Sequence, residues 1–210
     1  MMTSERTLEL RVDALAKRFG PREVFANLNL RLMRGDSLAV TGRNGSGKST
    51  FLKVIANTME ATAGRVTWRD GDADLDAAAL TRSIGYVAPY LQLYTEFTLL
   101  EHARLMQQMR GLPFDQANAD ALFQRFGIAG RRNDRLSTFS SGMLQRAKFI
   151  CALIHNPPFL LLDEPMSTLD LDGIAAMREL VSDRRTSRIT VIATNEEEDL
   201  DLCTKRLAIG

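Results

Sequence analysis

Apolar and polar positions alternate over residues 8–12 and again over 24–32, where Leu28, Leu30 and Leu32 share one face. Both segments predict half-buried strands. Phe19-Gly20-Pro21 between them, and Arg34-Gly35-Asp36 after them, predict turns. Residues 37–41 form a short apolar strand. The period then changes. From Ser49 to about Met59, the side chains of Leu52, Ile55, Ala56 and Met59 recur at helical spacing, and Gly64 follows that helix. Residues 65–69 and 84–88 read as strands. Residues 98–124 read as helix, broken at Gly111-Leu112-Pro113. Another helix starts after Ser140-Ser141, carries Met143, Ala147, Ile150 and Ile154 on one side, and stops at Asn156-Pro157-Pro158. Residues 159–163 are a near-continuous apolar run, as in a parallel strand covered on both faces. A helix over 174–182 and a strand over 189–193 complete the pattern. Strands alternate with helices, so the class is α/β.

Composition narrows the field. The chain has 210 residues, 45% of them apolar and 25% charged. That length suits one domain, 1–210, with room for a small subdomain, and the composition excludes a disordered chain. The net charge of +1 offers no general footprint for nucleic acid. Cys151 and Cys203 are far apart, so neither a disulfide framework nor a zinc ribbon is expected, and a reduced, cytosolic compartment fits. No apolar run reaches the roughly 18 residues that a membrane helix needs. Residues 1–18 carry too many charges for a signal peptide. Work at a membrane would require another protein to hold the chain there.

The candidate chemistry starts at Gly42-Arg43-Asn44-Gly45-Ser46-Gly47-Lys48-Ser49, which fits the phosphate-binding loop G-x-x-x-x-G-K-[ST]. Its glycines let backbone N–H groups curl around phosphate oxygens. Lys48 is placed to reach the β- and γ-phosphates, and Ser49 to coordinate Mg²⁺. Thr50 joins the nucleotide-binding residues in the helix from Ser49, whose N-terminus faces the anion. A second element, Phe159-Leu160-Leu161-Leu162-Asp163-Glu164, is an apolar strand delivering carboxylates at its C-terminal end. Asp163 is placed to hold Mg²⁺, through water or directly, and Glu164 to polarise an attacking water. Taken alone, that pair reads first as a helix cap after a core strand; the phosphate-binding loop in the same chain turns the reading to a cation site.

Together these motifs resemble the nucleotide-binding domain of ATP-binding cassette (ABC) transporters, over nearly the whole chain. The resemblance implies a P-loop core with a mainly parallel sheet, a small antiparallel β-subdomain, and a helical subdomain at about 90–148. It places Phe19 against adenine. Ser140, Ser141 and Gly142 lie at the signature segment that faces a partner subunit's ATP, although Ser141 and Met143 depart from the family pattern. Asp170, in Ser167-Thr168-Leu169-Asp170, lies in the D-loop. Two further departures stand out. Pro89 occupies the position of the Q-loop glutamine, with Gln92 three residues on, and Asn195 occupies that of the switch histidine. Asn195 with Glu198 also has the spacing of a capping box.

The resemblance implies ATP and Mg²⁺ as cofactors, with Glu164 and Asn195 as catalytic residues. It also implies an ATP-bound dimer, an integral membrane partner, a location on the cytoplasmic face, and a role in export of the haem-exporter type. The alternatives are a slowly hydrolysing regulatory subunit and a soluble ABC protein not tied to transport; a small-molecule kinase would leave the Ser140-Ser141-Gly142 segment unexplained. The apolar side chains of residues 90–99 suggest the membrane-partner surface, or else packing within the helical subdomain. His102, His155, Arg131, Arg132 and Arg135 read as structural or solvated.

Overall fold

The computed structural model describes residues 7–183 and 187–210. Strands β1 (Leu8–Phe19) and β2 (Arg22–Met33) form an antiparallel hairpin closed at Gly20-Pro21. Its alternation buries Leu8, Leu10 and Val12. β4 (Ala63–Asp70) pairs with the other side of β1, and β5 (Ala73–Asp74) adds to β4, giving the order β2-β1-β4-β5. The second sheet is parallel throughout. It runs β6 (Ile84–Val87), β7 (Phe159–Asp163), β8 (Ile189–Ala193), β3 (Ser37–Thr41), β9 (Lys205–Ala208). The alternation of strands and helices predicted the α/β class, and the separate antiparallel and parallel sheets are those the family resemblance implied.

β7 shows why an unbroken apolar run suits this position. Phe159 and Leu161 enter one hydrophobic cluster, with Leu10, Leu32, Phe51 and Trp68. Leu160 and Leu162 enter the other, with Leu99, Phe123, Phe126 and Phe149. Alternate side chains thus leave opposite faces of one strand into two cores, and neither face meets water. The first cluster joins the two sheets through α1 (Lys48–Ile55). Trp68 packs at a tilt against Phe159, with ring centroids 4.6 Å apart, and donates its indole N–H to the Ile55 carbonyl at 2.7 Å.

The second cluster is built by α3 (Leu99–Met109), α4 (Gln116–Arg125) and α5 (Ser141–Leu153) against the sheet. The break at residues 111–113 separates α3 from α4 as its Gly and Pro require. Thr98 and Glu101 close a capping box at the start of α3. α6 (Leu171–Asp183) starts three residues earlier than its periodicity suggests.

Some expectations were displaced. α1 stops at Ile55 rather than near Met59, because Asn57 turns to a positive φ of 57°. Gly64 lies within β4, not at a helix end. The helices α2 (Ala77–Ser83) and α7 (Glu197–Leu200) and the edge strand β9 carried no clear period.

Register places the functional loops. Val40 of β3 and Asp163 of β7 both pair with Ala193 of β8. The segments that follow these three strands therefore emerge side by side at the carboxyl edge of the sheet, where open α/β sheets bind ligands.

Candidate active site

The loop between β3 and α1 is shaped by glycine. Gly42 has φ 147°, and a Cβ there would meet the Ile209 carbonyl oxygen at 2.1 Å. Gly47 has φ 113°, and a Cβ would meet Val24 Cγ1 at 2.2 Å. Both positions exclude side chains by conformation and by space. Gly47 is also the N-cap of α1 and supplies no capping side chain, so the first helical N–H groups stay available to an anion. Arg22 buttresses the loop from outside by donating to the Gly45 carbonyl at 3.3 Å.

Lys48, only 5% exposed, is the hub of the site. Its ammonium donates to the Gly42 carbonyl at 2.9 Å and to Asn195 Oδ1 at 2.7 Å, and lies 3.4 Å from Glu164 Oε1. Three chain segments far apart in sequence thus converge on one cation. Asn195 Nδ2 donates in turn to Asn44 Oδ1.

The capping-box expectation for Asn195 fails. The N-cap of α7 is Glu196, and Thr194 Oγ1 accepts the Glu196 N–H at 3.0 Å. The Asn195 amide is instead turned into the phosphate loop by Lys48, while the Glu198 side chain lies outside the described residues.

Ser49 donates its hydroxyl to Asp163 Oδ1 at 3.0 Å. Asp163 Oδ2 is buried and has no hydrogen-bond partner among the described residues. Burial raises the Asp163 carboxyl above its ordinary range, opposed by the Ser49 hydrogen bond and by the charges of Lys53 and Lys48. A hydroxyl and a carboxylate with one idle, desolvated oxygen form a hard oxygen donor set, which fits a small divalent cation. Glu164 follows with φ 46°, a left-handed conformation that a glutamate rarely adopts. Its N–H is tied to the Ala193 carbonyl at 2.8 Å.

A cavity of about 400 Å³ opens over this cluster, lined by Phe19, Asn44, Lys48, Ser49, Thr50 and Glu164 among others. Phe19 is 49% exposed, and Lys17 lies 4.8 Å over its ring. An exposed ring at the mouth of an anion-binding cavity can stack a planar base.

Ser140, Ser141, Gly142 and Asp170 do not line this cavity. Ser140 caps α5, accepting the Met143 N–H at 3.3 Å. Gly142 is not demanded by packing within the chain, since a Cβ would make only ordinary contact with Thr168. Asp170 is bound by Arg146 and the Gly173 N–H, and the Arg146 hydrogen bond holds its carboxyl below the usual range. Arg146 also donates to the Phe126 carbonyl at 2.9 Å, so the segment after β7 is tied to α5.

Pro89 offers only its carbonyl, which accepts from Lys148 at 3.2 Å. Gln92 lies in a second cavity with Pro89, Leu91, Ser141 and Lys148, away from Lys48. The residue that does turn toward the site is Tyr90. Its hydroxyl is hydrogen-bonded to Tyr86, and Lys53 sits 4.1 Å over its ring. Sequence reasoning passed over Lys53, although it falls one turn after Ser49 on the same face of α1. Arg22 had no motif to reveal it.

Residues 25–167 match the family model described as ABC transporter. The chain is 36% identical over 163 residues to the cytochrome c biogenesis ATP-binding export protein CcmA of Methylococcus capsulatus, covering 77% of this chain and 78% of that protein. It is 36% identical over 186 residues to the aliphatic sulfonates import ATP-binding protein SsuB of Albidiferax ferrireducens, covering 87% of this chain and 63% of that protein. A solved structure described as the ATP-binding subunit of an ABC transporter superposes with a TM-score of 0.85 at 27% identity, covering 95% of this chain and 85% of that one.

Proposed function

The chain belongs to the ABC transporter family, and we propose that it is the ATPase subunit of an exporter, binding and hydrolysing MgATP at the Lys48 site. One observation carries this reading: Lys48 gathers the phosphate loop, Glu164 and Asn195 around a single buried cation. A triphosphate entering the cavity replaces those internal partners with charge-assisted contacts of its own. The N–H groups of residues 45–50 wrap its phosphates, and Phe19 stacks on adenine. Ser49 and Asp163 would hold Mg²⁺, which would supply charge to offset that of the phosphates. Glu164 accepts a proton from the attacking water, and Asn195 releases Lys48 and donates to the γ-phosphate.

The N-terminus of α5 at Ser140, Ser141 and Gly142 points to a second subunit. These residues lie outside the Lys48 cavity, and Gly142 keeps a bare backbone that its own chain does not require. They fit a role against the nucleotide of a partner copy, in an ATP-bound dimer. We assign residues 90–148 to a helical subdomain within one ATPase domain, 1–210, with the exposed apolar side chains of residues 90–99, Leu91, Tyr94 and Phe97 among them, as the docking surface for a membrane subunit. No helix among the described residues is long and apolar enough to cross a membrane. In our reading that subunit holds the chain on the cytoplasmic face. The relatives include both an export and an import ATP-binding protein at 36% identity, and the export part of our reading is decided by the direction in which the co-purifying membrane subunit moves its cargo.

Lys48→Ala tests the reading. Calorimetric titration of the full chain should show MgATP binding abolished or severely weakened; unchanged affinity overturns it.

A further inference from the structure

Lys53 lies four residues after Ser49 on α1, and its charge reaches Asp163. Lys48 also acts on that carboxylate, but its ammonium is already engaged by Gly42, Asn195 and Glu164. Asp163 Oδ2 is nevertheless left without a hydrogen-bond partner among the described residues. The Lys53 ammonium sits instead over the Tyr90 ring, 4.1 Å from its centroid. A negative π-face holds an ammonium without neutralising any carboxylate. A lysine closed onto Asp163 would do the opposite: it would cancel the charge that attracts a divalent cation and fill the position the cation needs.

The ring is fixed for this task. Its hydroxyl bonds to that of Tyr86 on β6, and the two rings meet edge to face with centroids 6.4 Å apart. Tyr86 is itself set by the strand, pairing with Leu161 two residues before Asp163. Tyr90 directly follows Pro89, which has no polar side chain to send toward the cation site. The connection from β6 to α3 therefore acts on that site through an aromatic face.

We propose that Tyr90 is a positioning residue: by holding Lys53 on its ring it keeps Asp163 open for Mg²⁺, and so sets the Mg²⁺ concentration at which ATP is bound and hydrolysed. This rests on the reading of Ser49 and Asp163 as the cation ligands.

The test measures ATP affinity of the full chain by calorimetry across a range of Mg²⁺ concentrations, alongside the ATPase rate. Tyr90→Leu and Tyr90→Gln, which lack the ring, should raise the half-maximal Mg²⁺ concentration about three- to tenfold, the factor expected from losing one cation–π contact. Affinity for Mg²⁺-free ATP should not change. Tyr90→Phe keeps the ring and should stay within about twofold of the parent. Adding Lys53→Met to Tyr90→Leu removes the competing ammonium and should restore the parental Mg²⁺ requirement. An unchanged requirement in the ringless variants, or no restoration by Lys53→Met, overturns the proposal. Asp163→Asn separates the two levels. If it leaves the Mg²⁺-dependent gain in affinity intact, the cation site itself is misassigned. If it abolishes that gain while Tyr90→Leu does nothing, only the role of Tyr90 falls.

Discussion

Asn195 Oδ1 accepts a hydrogen bond from Lys48 Nζ at 2.7 Å across 147 residues of sequence. The contact puts an uncharged amide where a relay group would otherwise stand. An amide donates and accepts but takes up no proton near neutrality. The two histidines are engaged elsewhere: His102 with the Tyr94 N–H and Cys151, and His155 with the Ile84 carbonyl. The ATPase rate should therefore be nearly level between about pH 6 and 8. Asn195→His should raise the rate and introduce a titration into that range, and Pro89→Gln should raise it without one. A parental rate that changes steeply across the same range would show that another group relays the proton.

Glu164→Gln should retain MgATP binding and slow hydrolysis by about 10²-fold or more, the usual scale for losing a positioned general base. The amide keeps the shape and the left-handed backbone at φ 46°, so folding is not in question. With turnover blocked, ATP should accumulate a dimer that sedimentation detects. Hydrolysis at the parental rate would exclude Glu164 as the base. A species that stays monomeric in saturating ATP would count against pairing of two identical copies.

The sheet was legible in the sequence where burial was complete. Residues 159–163 and 189–193 coincide with β7 and β8, because strands covered on both faces carry uninterrupted apolar runs. β9 and α2 were illegible for the converse reason. β9 is an edge strand reading Lys-Arg-Leu-Ala with little buried surface, and α2 has one buried side chain, Leu80. The phosphate loop was legible because its glycines answer a backbone demand that a pattern can express. Tyr90 and Lys53 were not, since their meeting depends on how the connection after β6 folds back on α1. Asn195 shows the ambiguity of short polar spacing: the sequence left a cap and a phosphate contact equally open, and the Lys48 ammonium draws the side chain away from the cap.

Tyr94 is 63% exposed and Phe97 39% exposed, with ring centroids 5.9 Å apart; Tyr94 stacks on the buried His102 and Phe97 meets it edge to face. Leu93, by contrast, packs into the helical core. The rings thus form the outward part of a segment whose inner part already secures it. Tyr94→Glu and Phe97→Glu should abolish capture by the membrane subunit while shifting chain stability by no more than about 0.5 kcal/mol, as expected for exposed positions. Global unfolding of either variant in a thermal melt would assign these rings to packing instead.

His155 gives the chain a pH-dependent stability. It donates Nε2–H to the Ile84 carbonyl at 3.2 Å, while Nδ1 is buried and without a partner among the described residues. Burial, together with the charges of Arg110 and Arg188, pushes its pKa down to about 4. The unfolded chain titrates near the ordinary value of about 6.5. On acidification the unfolded state therefore takes up this proton first. Stability from His155 is complete above about pH 6.5 and is lost as pH falls toward 4, by up to about 3 kcal/mol in all. His102, whose pKa is also lowered by burial, acts in the same direction. Asp163 and Asp199 are raised by burial and act oppositely, because their protonation favours the folded state. Denaturant midpoints measured between about pH 7 and 4.5 should therefore decline, and His155→Gln should lessen the slope. The glutamine amide can still donate to Ile84, so the comparison isolates the charge. A slope identical in the parent and in His155→Gln would show that the imidazole is not the group whose protonation unfolds the chain.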